Sequence, residues 1–149
     1  AECAGFLVWG DPALYDSTVR ILHAILASGR CAFEFEVIPG ITSVPALPAQ
    51  HNVPLNTIGR SIEITTGRRL AAGQVSYADS LVVMLDAEDS YHHVADPQTE
   101  IFWGAYLGTP DEILISGKLG DVADEIERVR KAARLEHGWI MDTYLLRKP

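Results

Sequence analysis

Apolar positions in the first third of the chain follow a repeated pattern of strand, break and helix. Residues 5–9 form a continuous apolar run, and residues 33–38 alternate apolar and acidic side chains before Pro39-Gly40. These patterns predict two strands, one covered on both faces and one half-buried. Two successive strand-loop-helix units predict a parallel α/β sheet, and such sheets bind ligands at the carboxyl ends of their strands.

The helices of these units carry recognisable boundaries. Asp16 or Ser17 can cap the first helix, and Gly29 stands where a left-handed residue would end it. Thr42 or Ser43 can cap the second helix. That helix should be short or kinked, because Pro48 would remove an interior hydrogen bond.

The pattern changes beyond a connector at residues 51–56, and strands come to dominate. An amphipathic helix with acid-first ion pairs at i,i+4 is predicted over Asp121 to Leu135, its charges forming a solvated face. We therefore predict an α/β protein with a parallel N-terminal domain (1–58) and a mixed-sheet C-terminal domain (59–149). The strands predicted in the second domain are Ile62 to Thr65, Leu81 to Leu85, Ile101 to Tyr106, Glu112 to Ser116 and Trp139 to Leu146.

Composition restricts the classes of function. The 149 residues are 48% hydrophobic with a formal net charge of -8, which argues against disorder and against the basic face that nucleic acids or anionic membranes require. No apolar run reaches the ~18 residues of a membrane span. We expect a cytoplasmic protein with Cys3 and Cys31 as reduced core thiols. Because a core strand follows Ala1 so closely, we also expect that an N-terminal part is missing.

Two loops could carry chemistry. Gly10-Asp11-Pro12 and the segment from Pro39 to Ser43 each follow a predicted strand, so they could line one pocket. The alternative is a pair of tight turns in which Asp11 satisfies local amides. Neither loop has a GxGxxG or GxxxxGK[ST] pattern, which favours a ligand held by nucleoside and amino-acid ends over a dinucleotide or triphosphate.

These loops resemble those of the tetrapyrrole methylases, the S-adenosylmethionine-dependent enzymes of cobalamin and sirohaem biosynthesis. The likeness is carried by Gly10-Asp11-Pro12 with Tyr15, and by Val37 to Ser43. Within the family the chain is most similar to a deacetylating subgroup. Four stretches carry that narrower likeness: Phe6 to Thr18, Ile64 to Leu70, Trp103 to Ile113 and Gly138 to Leu146.

The resemblance implies a two-domain fold with a truncated N-terminal parallel sheet, a cofactor cleft between the domains, and a homodimer. The implied reaction moves a methyl group from S-adenosylmethionine to C1 of precorrin-5 and releases acetate, giving precorrin-6A. Carried over by position, the cofactor contacts are Trp9, Gly10, Asp11, Leu14, Thr42, Ser43, Leu85 and Gly108. A glycine-rich first loop expected in the family has no counterpart in the chain.

Methyl transfer from an activated sulfonium needs mainly positioning, whereas deacetylation needs a polar group near the acyl carbon. Asp11, Tyr15 and Tyr106 are the candidates for that group. The adjacent pair Arg68-Arg69 could bind substrate carboxylates or could be a solvated loop. A metal site at His92-His93 is disfavoured, because adjacent histidines cannot easily chelate one ion.

Two other hypotheses for the function stay open. The chain could be another precorrin or uroporphyrinogen methyltransferase, which product analysis would separate, or a non-catalytic, dimerising α/β module, which its upstream gene sequence would reveal.

Overall fold

The chain divides into two compact units, Ala1–Ser43 and Val44–Pro149. The computed structural model describes residues 3–75 and 78–148. The domain boundary between residues 58 and 59 stays a prediction. In the described ranges, no helix is both long enough and apolar enough to cross a lipid bilayer.

The first unit contains one helix, α1 (Thr18–Ala27). The Asp16 carboxylate accepts a hydrogen bond from the Thr18 amide at 2.7 Å, although Ser17 occupies the N-cap position. Gly29 follows the helix with φ +67°, the left-handed conformation that ends many helices. Both predicted boundaries of α1 are therefore confirmed.

The strands predicted at residues 5–9 and 33–38 are wrong for the described part of this unit, where neither segment is assigned to a sheet. A strand needs a neighbouring backbone to pair with its N–H and C=O groups, and a parallel strand also needs cover on both faces. Here Phe6 and Leu7 are 68% and 102% exposed. The alternation of the second segment persists only as burial, since Phe33 and Phe35 are half-buried and the glutamates beside them are exposed.

The two cysteines share this exposure. Cys3 and Cys31 are free thiols, and both are exposed to solvent. Their prediction as core thiols is wrong, because the segments that contain them do not form the buried strands that the prediction assumed.

Helix α2 (Ser43–Gln50) begins where the sequence predicted a cap and is short, as Pro48 required. Leu47 is fully buried, and the Val53 amide donates to the carbonyl of Pro48 at 3.0 Å just beyond the helix. The proline thus lies near the carboxyl end of the helix, where few interior hydrogen bonds remain to be lost.

The second unit is built on a five-stranded mixed sheet with the strand order β1-β2-β5-β3-β4. The β1–β2 pair is parallel and the other three pairs are antiparallel. Helix α3 (Gly67–Ala71), a 3₁₀ turn (Ser90–His93) and α4 (Leu119–His137) complete the unit. The strands are β1 (Ile62–Thr66), β2 (Ser80–Met84), β3 (Glu100–Ala105), β4 (Ile113–Lys118) and β5 (Asp142–Arg147).

This sheet confirms the α/β class and all five strands predicted beyond residue 59. The observed β5 is shorter than predicted, because residues 139–141 precede the sheet. Helix α3 and the 3₁₀ turn were not predicted. Both are too short to show a helical apolar period.

Helix α4 packs on one face of the sheet. Ile126 and Ala133 are buried, and Val122 and Val129 are half-buried against the same core, so the predicted stripe is confirmed. The sheet contributes the buried aromatic side chains of Trp103 and Tyr144, and the 3₁₀ turn contributes Tyr91. This core holds the strands in place and so positions the loops at their ends.

We predict that Ile126→Ala destabilises the protein strongly. Ile126 is fully buried, so the substitution removes packed methyl groups and leaves a cavity, which costs about 2 to 5 kcal/mol. Chemical denaturation of the variant would measure this loss. Leu135→Ala on the same helix is the control, because Leu135 is 86% exposed and its truncation should change the free energy of unfolding by less than about 0.5 kcal/mol. Equal effects of the two substitutions would contradict the packing described for α4.

Candidate functional site

The carboxylate of Asp11 joins the two loops of the first unit. Its Oδ2 accepts a hydrogen bond from the Gly40 amide at 2.8 Å, and its Oδ1 accepts one from the Ala13 amide at 2.7 Å. The Leu14 amide also donates to the carbonyl of Asp11, at 3.2 Å. Asp11 thus satisfies amides of its own turn, as expected for the alternative of a tight turn, and it also joins that turn to the second loop.

Two glycines allow the loops to approach closely. An ideal Cβ on Gly40 would lie 2.0 Å from the carbonyl oxygen of Gly10, which is an impossible contact with backbone. Gly10 has φ +71°, and a Cβ there would lie 3.2 Å from the Cα of Thr42. The loops therefore meet backbone to backbone, and only glycine fits at position 40.

Hydrogen bonds from the amides of Gly40 and Ala13 lower the pKa of the Asp11 carboxyl group below its ordinary value. Amide dipoles directed at a carboxylate favour its charged form. The loop junction therefore carries a fixed negative charge at neutral pH.

The other residues predicted in these loops lie around this junction. Trp9 is 67% exposed, and Leu14 and Thr42 are half-buried. Tyr15 is 49% exposed and has φ +54°, a left-handed conformation that is uncommon for a tyrosine. Ser43 is half-buried at the first position of α2.

The second unit gathers its predicted residues at one edge of the sheet. β1 and β2 are parallel, and β3 also runs in the direction of β2, because each pairs antiparallel with β5. The carboxyl ends of all three strands therefore lie at the same edge. The residues that follow these ends are Arg68 and Arg69 after β1, Leu85 after β2, and Tyr106 and Gly108 after β3.

The two cofactor candidates at this edge are exposed, and both have positive φ angles. Leu85 has φ +54° and is 65% exposed, although it directly follows a buried strand. Gly108 has φ +75°, and its amide donates to a carboxylate oxygen of Glu112 at 2.7 Å. Strands β2 and β3 flank β5, so these two loops are separated by two strand spacings, roughly 10 Å.

Tyr106 is buried and has a clear structural contact. Its hydroxyl donates to the carbonyl of Trp139 at 2.6 Å, and burial raises the pKa of the phenol above its ordinary value. This bond anchors the segment that leads into β5.

The arginine pair differs in its local contacts. Both side chains are exposed, and Arg69 donates from Nε and Nη2 to the carbonyl of Gln74, at 3.3 and 3.1 Å. Arg69 thus closes the turn after α3.

A buried polar network below this edge was not predicted. Arg130 of α4 is 6% exposed, and its Nε donates to Oδ2 of Asp142 at 2.9 Å while Nη1 lies 3.3 Å from Oδ1 of Asp89. The indole of Trp103 donates to the same oxygen of Asp142, at 2.9 Å. The hydroxyl of Tyr144 donates to Asp86 at 2.6 Å.

Burial raises the pKa of the Asp142 carboxyl group, although the hydrogen bond from Arg130 opposes this shift. The pKa of Arg130 is also raised: burial opposes its charge, but the hydrogen bond from Asp142 and the nearby carboxylates outweigh that effect. The sequence signal for this network was weak, because Arg130 lies within a run of charges typical of a solvated helix face.

Of the two adjacent histidines, His92 contacts a carboxylate of α4. The Nε2 of His92 lies 3.2 Å from Oε2 of Glu127. Among residues 3–75 and 78–148, no group of three His, Cys, Asp or Glu side chains is arranged to hold a metal ion.

Comparison with known proteins identifies the family. Residues 2–123 match the family profile of Tetrapyrrole (Corrin/Porphyrin) Methylases. The chain belongs to the tetrapyrrole methylases. The matched range includes both loops of the first unit and the strand ends of β1, β2 and β3.

Individual relatives show which members of the family this chain is similar to. The methylase chain is 57% identical over 143 residues to a precorrin-6A synthase [deacetylating] from Sinorhizobium sp, covering 96% of the chain and 55% of that relative. It is 44% identical to a crystal structure of a cobalamin synthesis related protein (CobF) from Corynebacterium diphtheriae, with a TM-score of 0.90 over 95% of the chain and 60% of that structure. The methylase chain thus spans little more than half the length of these relatives.

A more distant structure shares the fold alone. Uroporphyrin-III-C-methyltransferase from Thermus thermophilus superposes with a TM-score of 0.68 at 23% identity, over 93% of the chain and 61% of that structure. The methylase fold is therefore retained where most side chains differ.

We predict that Asp11→Asn loosens the contact between the two loops of this methylase. Asparagine keeps one acceptor oxygen, so one of the two amides bound by Asp11 loses its partner, and the amide hydrogen of Gly40 or Ala13 should exchange about fivefold faster. Hydrogen exchange measured by NMR tests this. Asp16→Asn is the control, since Asp16 binds only the start of α1 and its loss should leave the Gly40 amide unchanged.

The same contact should depend on pH. Because the folded-state pKa of Asp11 is lowered, its stabilising contribution is present above the unfolded value of about 3.9 and is lost as pH falls through the lower folded value. The extra protection of the Gly40 amide in the parent relative to Asp11→Asn should therefore decrease on acidification, and extra protection that did not decrease would contradict an ionic tie.

Proposed function

We propose that the protein is an S-adenosylmethionine-dependent methyltransferase that methylates C1 of precorrin-5 and, with water, releases acetate, giving precorrin-6A and S-adenosylhomocysteine in cobalamin biosynthesis. The observation that carries this proposal is the 57% identity to the deacetylating relative from Sinorhizobium over 96% of the chain. The activity is a proposal because the chain spans only part of that relative's length.

The first unit has features that suit the cofactor. Gly10 and Gly40 bring backbone atoms to the surface without Cβ atoms in the way, and the exposed Trp9 offers an apolar face for an adenine ring. The Asp11 carboxylate holds this arrangement together and supplies negative charge near a cationic sulfonium. These residues fit S-adenosylmethionine, with Leu14, Thr42 and Ser43 beside them in the two loops.

The second unit would contribute Leu85 and Gly108. Both are exposed at the carboxyl edge of the sheet, where a leucine side chain and a glycine backbone suit the apolar and small-atom parts of S-adenosylmethionine. When bound, S-adenosylmethionine supplies an activated methyl group. The protein's own role is to hold the acceptor carbon in line with that methyl group and to exclude water.

Release of acetate requires a polar group that activates water or stabilises the departing fragment. Asp11 and Tyr15 are accessible enough to serve. The hydroxyl of Tyr106 already donates to Trp139 and is the weakest of the three candidates. We propose that Tyr106 acts mainly by holding its loop in place.

The substrate carries several carboxylates, and the arginine pair after β1 could receive them. The exposed Arg68 lies at the same sheet edge as Leu85 and Gly108, whereas Arg69 is occupied by the carbonyl of Gln74. We therefore propose Arg68 as the main carboxylate ligand of the pair and Arg69 as its support.

We also propose that the enzyme is a cytoplasmic homodimer. The family resemblance supports this, and light scattering of the purified protein would give the mass of the particle.

The cofactor proposal predicts a difference between two glycine variants. Gly40→Ala should weaken binding of S-adenosylhomocysteine on the order of 100-fold, because the new methyl group must push the two loops apart by an ångström or more. Isothermal titration calorimetry would measure this. Gly5→Ala is the matched control, since a Cβ at Gly5 meets nothing within 4 Å, and its affinity should equal that of the parent. Lack of binding by the parent at millimolar ligand would overturn the cofactor proposal.

The reaction itself predicts two products in equal amounts. Incubation with precorrin-5 and S-adenosylmethionine should release one acetate per methyl group transferred, as measured by mass spectrometry and an acetate assay. Methylation of another precorrin or of uroporphyrinogen without acetate would instead support a different methyltransferase. Cofactor binding without any methylation would contradict the enzymatic proposal.

A further inference from the structure

The backbone at Leu85 is held in an unusual conformation at an exposed position. Its φ of +54° is a left-handed angle that a leucine rarely adopts, and its side chain is 65% exposed, so burial of the side chain does not explain the conformation. Such angles persist only where the surrounding structure enforces them, and they concentrate at ligand sites.

The next residue, Asp86, is held in place through its carboxylate. Oδ1 accepts hydrogen bonds from the Glu88 amide at 3.1 Å and the Ser90 hydroxyl at 2.8 Å. Oδ2 accepts from the Ser90 amide at 2.7 Å and the Tyr144 hydroxyl at 2.6 Å. Four donors on one buried carboxylate fix the turn over residues 86–90.

The backbone of Asp86 is fixed as well. Its carbonyl accepts a hydrogen bond from Nη2 of the buried Arg130, which is itself bound by Asp89 and Asp142. On the other side, Gly67 packs so closely that a Cβ there would lie 2.3 Å from Oδ1 of Asp86. Asp86 therefore has little freedom to rotate, and Leu85 is joined directly to it.

We propose that Asp86 is a positioning residue for the cofactor site: its fixed carboxylate and carbonyl hold Leu85 in the left-handed conformation and so present the leucine side chain to the ligand. This inference rests on the proposed function, in which Leu85 contacts S-adenosylmethionine. Asp86 itself touches neither cofactor nor substrate in this proposal. The alternative is that Asp86 only stabilises the fold.

A double-mutant cycle separates these two roles. Affinity for S-adenosylhomocysteine would be measured by calorimetry for the parent, Leu85→Ala, Asp86→Asn and the double variant. We expect each single substitution to weaken binding about tenfold, and the double variant to bind no more weakly than the weaker single variant. If the two effects multiply to about 100-fold, Asp86 does not act through Leu85, and the inference is overturned.

Two further variants keep the test decisive. Tyr144→Phe removes one donor and leaves the carboxylate, so it should fold even if Asp86→Asn fails to fold. It should weaken binding about fivefold, and combining it with Leu85→Ala should weaken binding no further than Leu85→Ala alone. Ile126→Val in the core is the stability control; we expect it to lower the melting temperature and leave the affinity unchanged. Weakened binding by the control would show that affinity follows stability alone, and would overturn the inference.

The outcomes also separate this inference from the proposed function. If the parent does not bind S-adenosylhomocysteine, the proposed function fails and the inference fails with it. If the parent binds but Asp86→Asn and Tyr144→Phe bind equally well, only the inference fails.

Discussion

The second unit depends on the compensation of one buried cation. Arg130 reaches from α4 to Asp142 at the start of β5, to Asp89 before the 3₁₀ turn, and to the carbonyl of Asp86 after β2. Removing one partner of a buried ion pair typically costs about 3 to 5 kcal/mol, because the other charge is left uncompensated. Arg130 therefore joins the helix, the sheet and the loop after β2 through buried polar contacts, beside the apolar core that packs them together.

The place of this network suits the chemistry proposed for the sheet edge. A ligand site needs loops that stay exposed, yet exposed loops have few apolar contacts to hold them. The network holds the loop after β2 through buried polar groups on its inner side, while Leu85 stays exposed to solvent. After β3, the hydroxyl of Tyr106 does the same by bonding the carbonyl of Trp139. Both loops are therefore held by buried hydrogen bonds on the side that faces the core.

The sequence predicted what depends on period and on local turns. The apolar stripe that includes Ile126 and Ala133 predicted α4, and the apolar runs predicted the five strands of the sheet, because burial on one or both faces leaves a regular sequence pattern. Arg130 was missed for the same reason: in a helix rich in i,i+4 ion pairs, the one buried charge has no distinctive spacing. Only the fold brings Asp86, Asp89 and Asp142 around it. The strands predicted at residues 5–9 and 33–38 were wrong, since strand formation depends on a pairing partner that a local pattern does not report.

The loops of the first unit show which part of such a site is locally determined. Their flanking segments are not strands, and yet Asp11 still binds the Gly40 amide and Gly10 still lies against Thr42. Steric access at two glycines and one short, charged hydrogen bond are sufficient for that contact. The second unit fixes Leu85 by equally local means, through the carboxylate of the adjacent residue. Each unit therefore organises its own candidate residues through contacts within the chain, so less conformational entropy remains to be lost on binding.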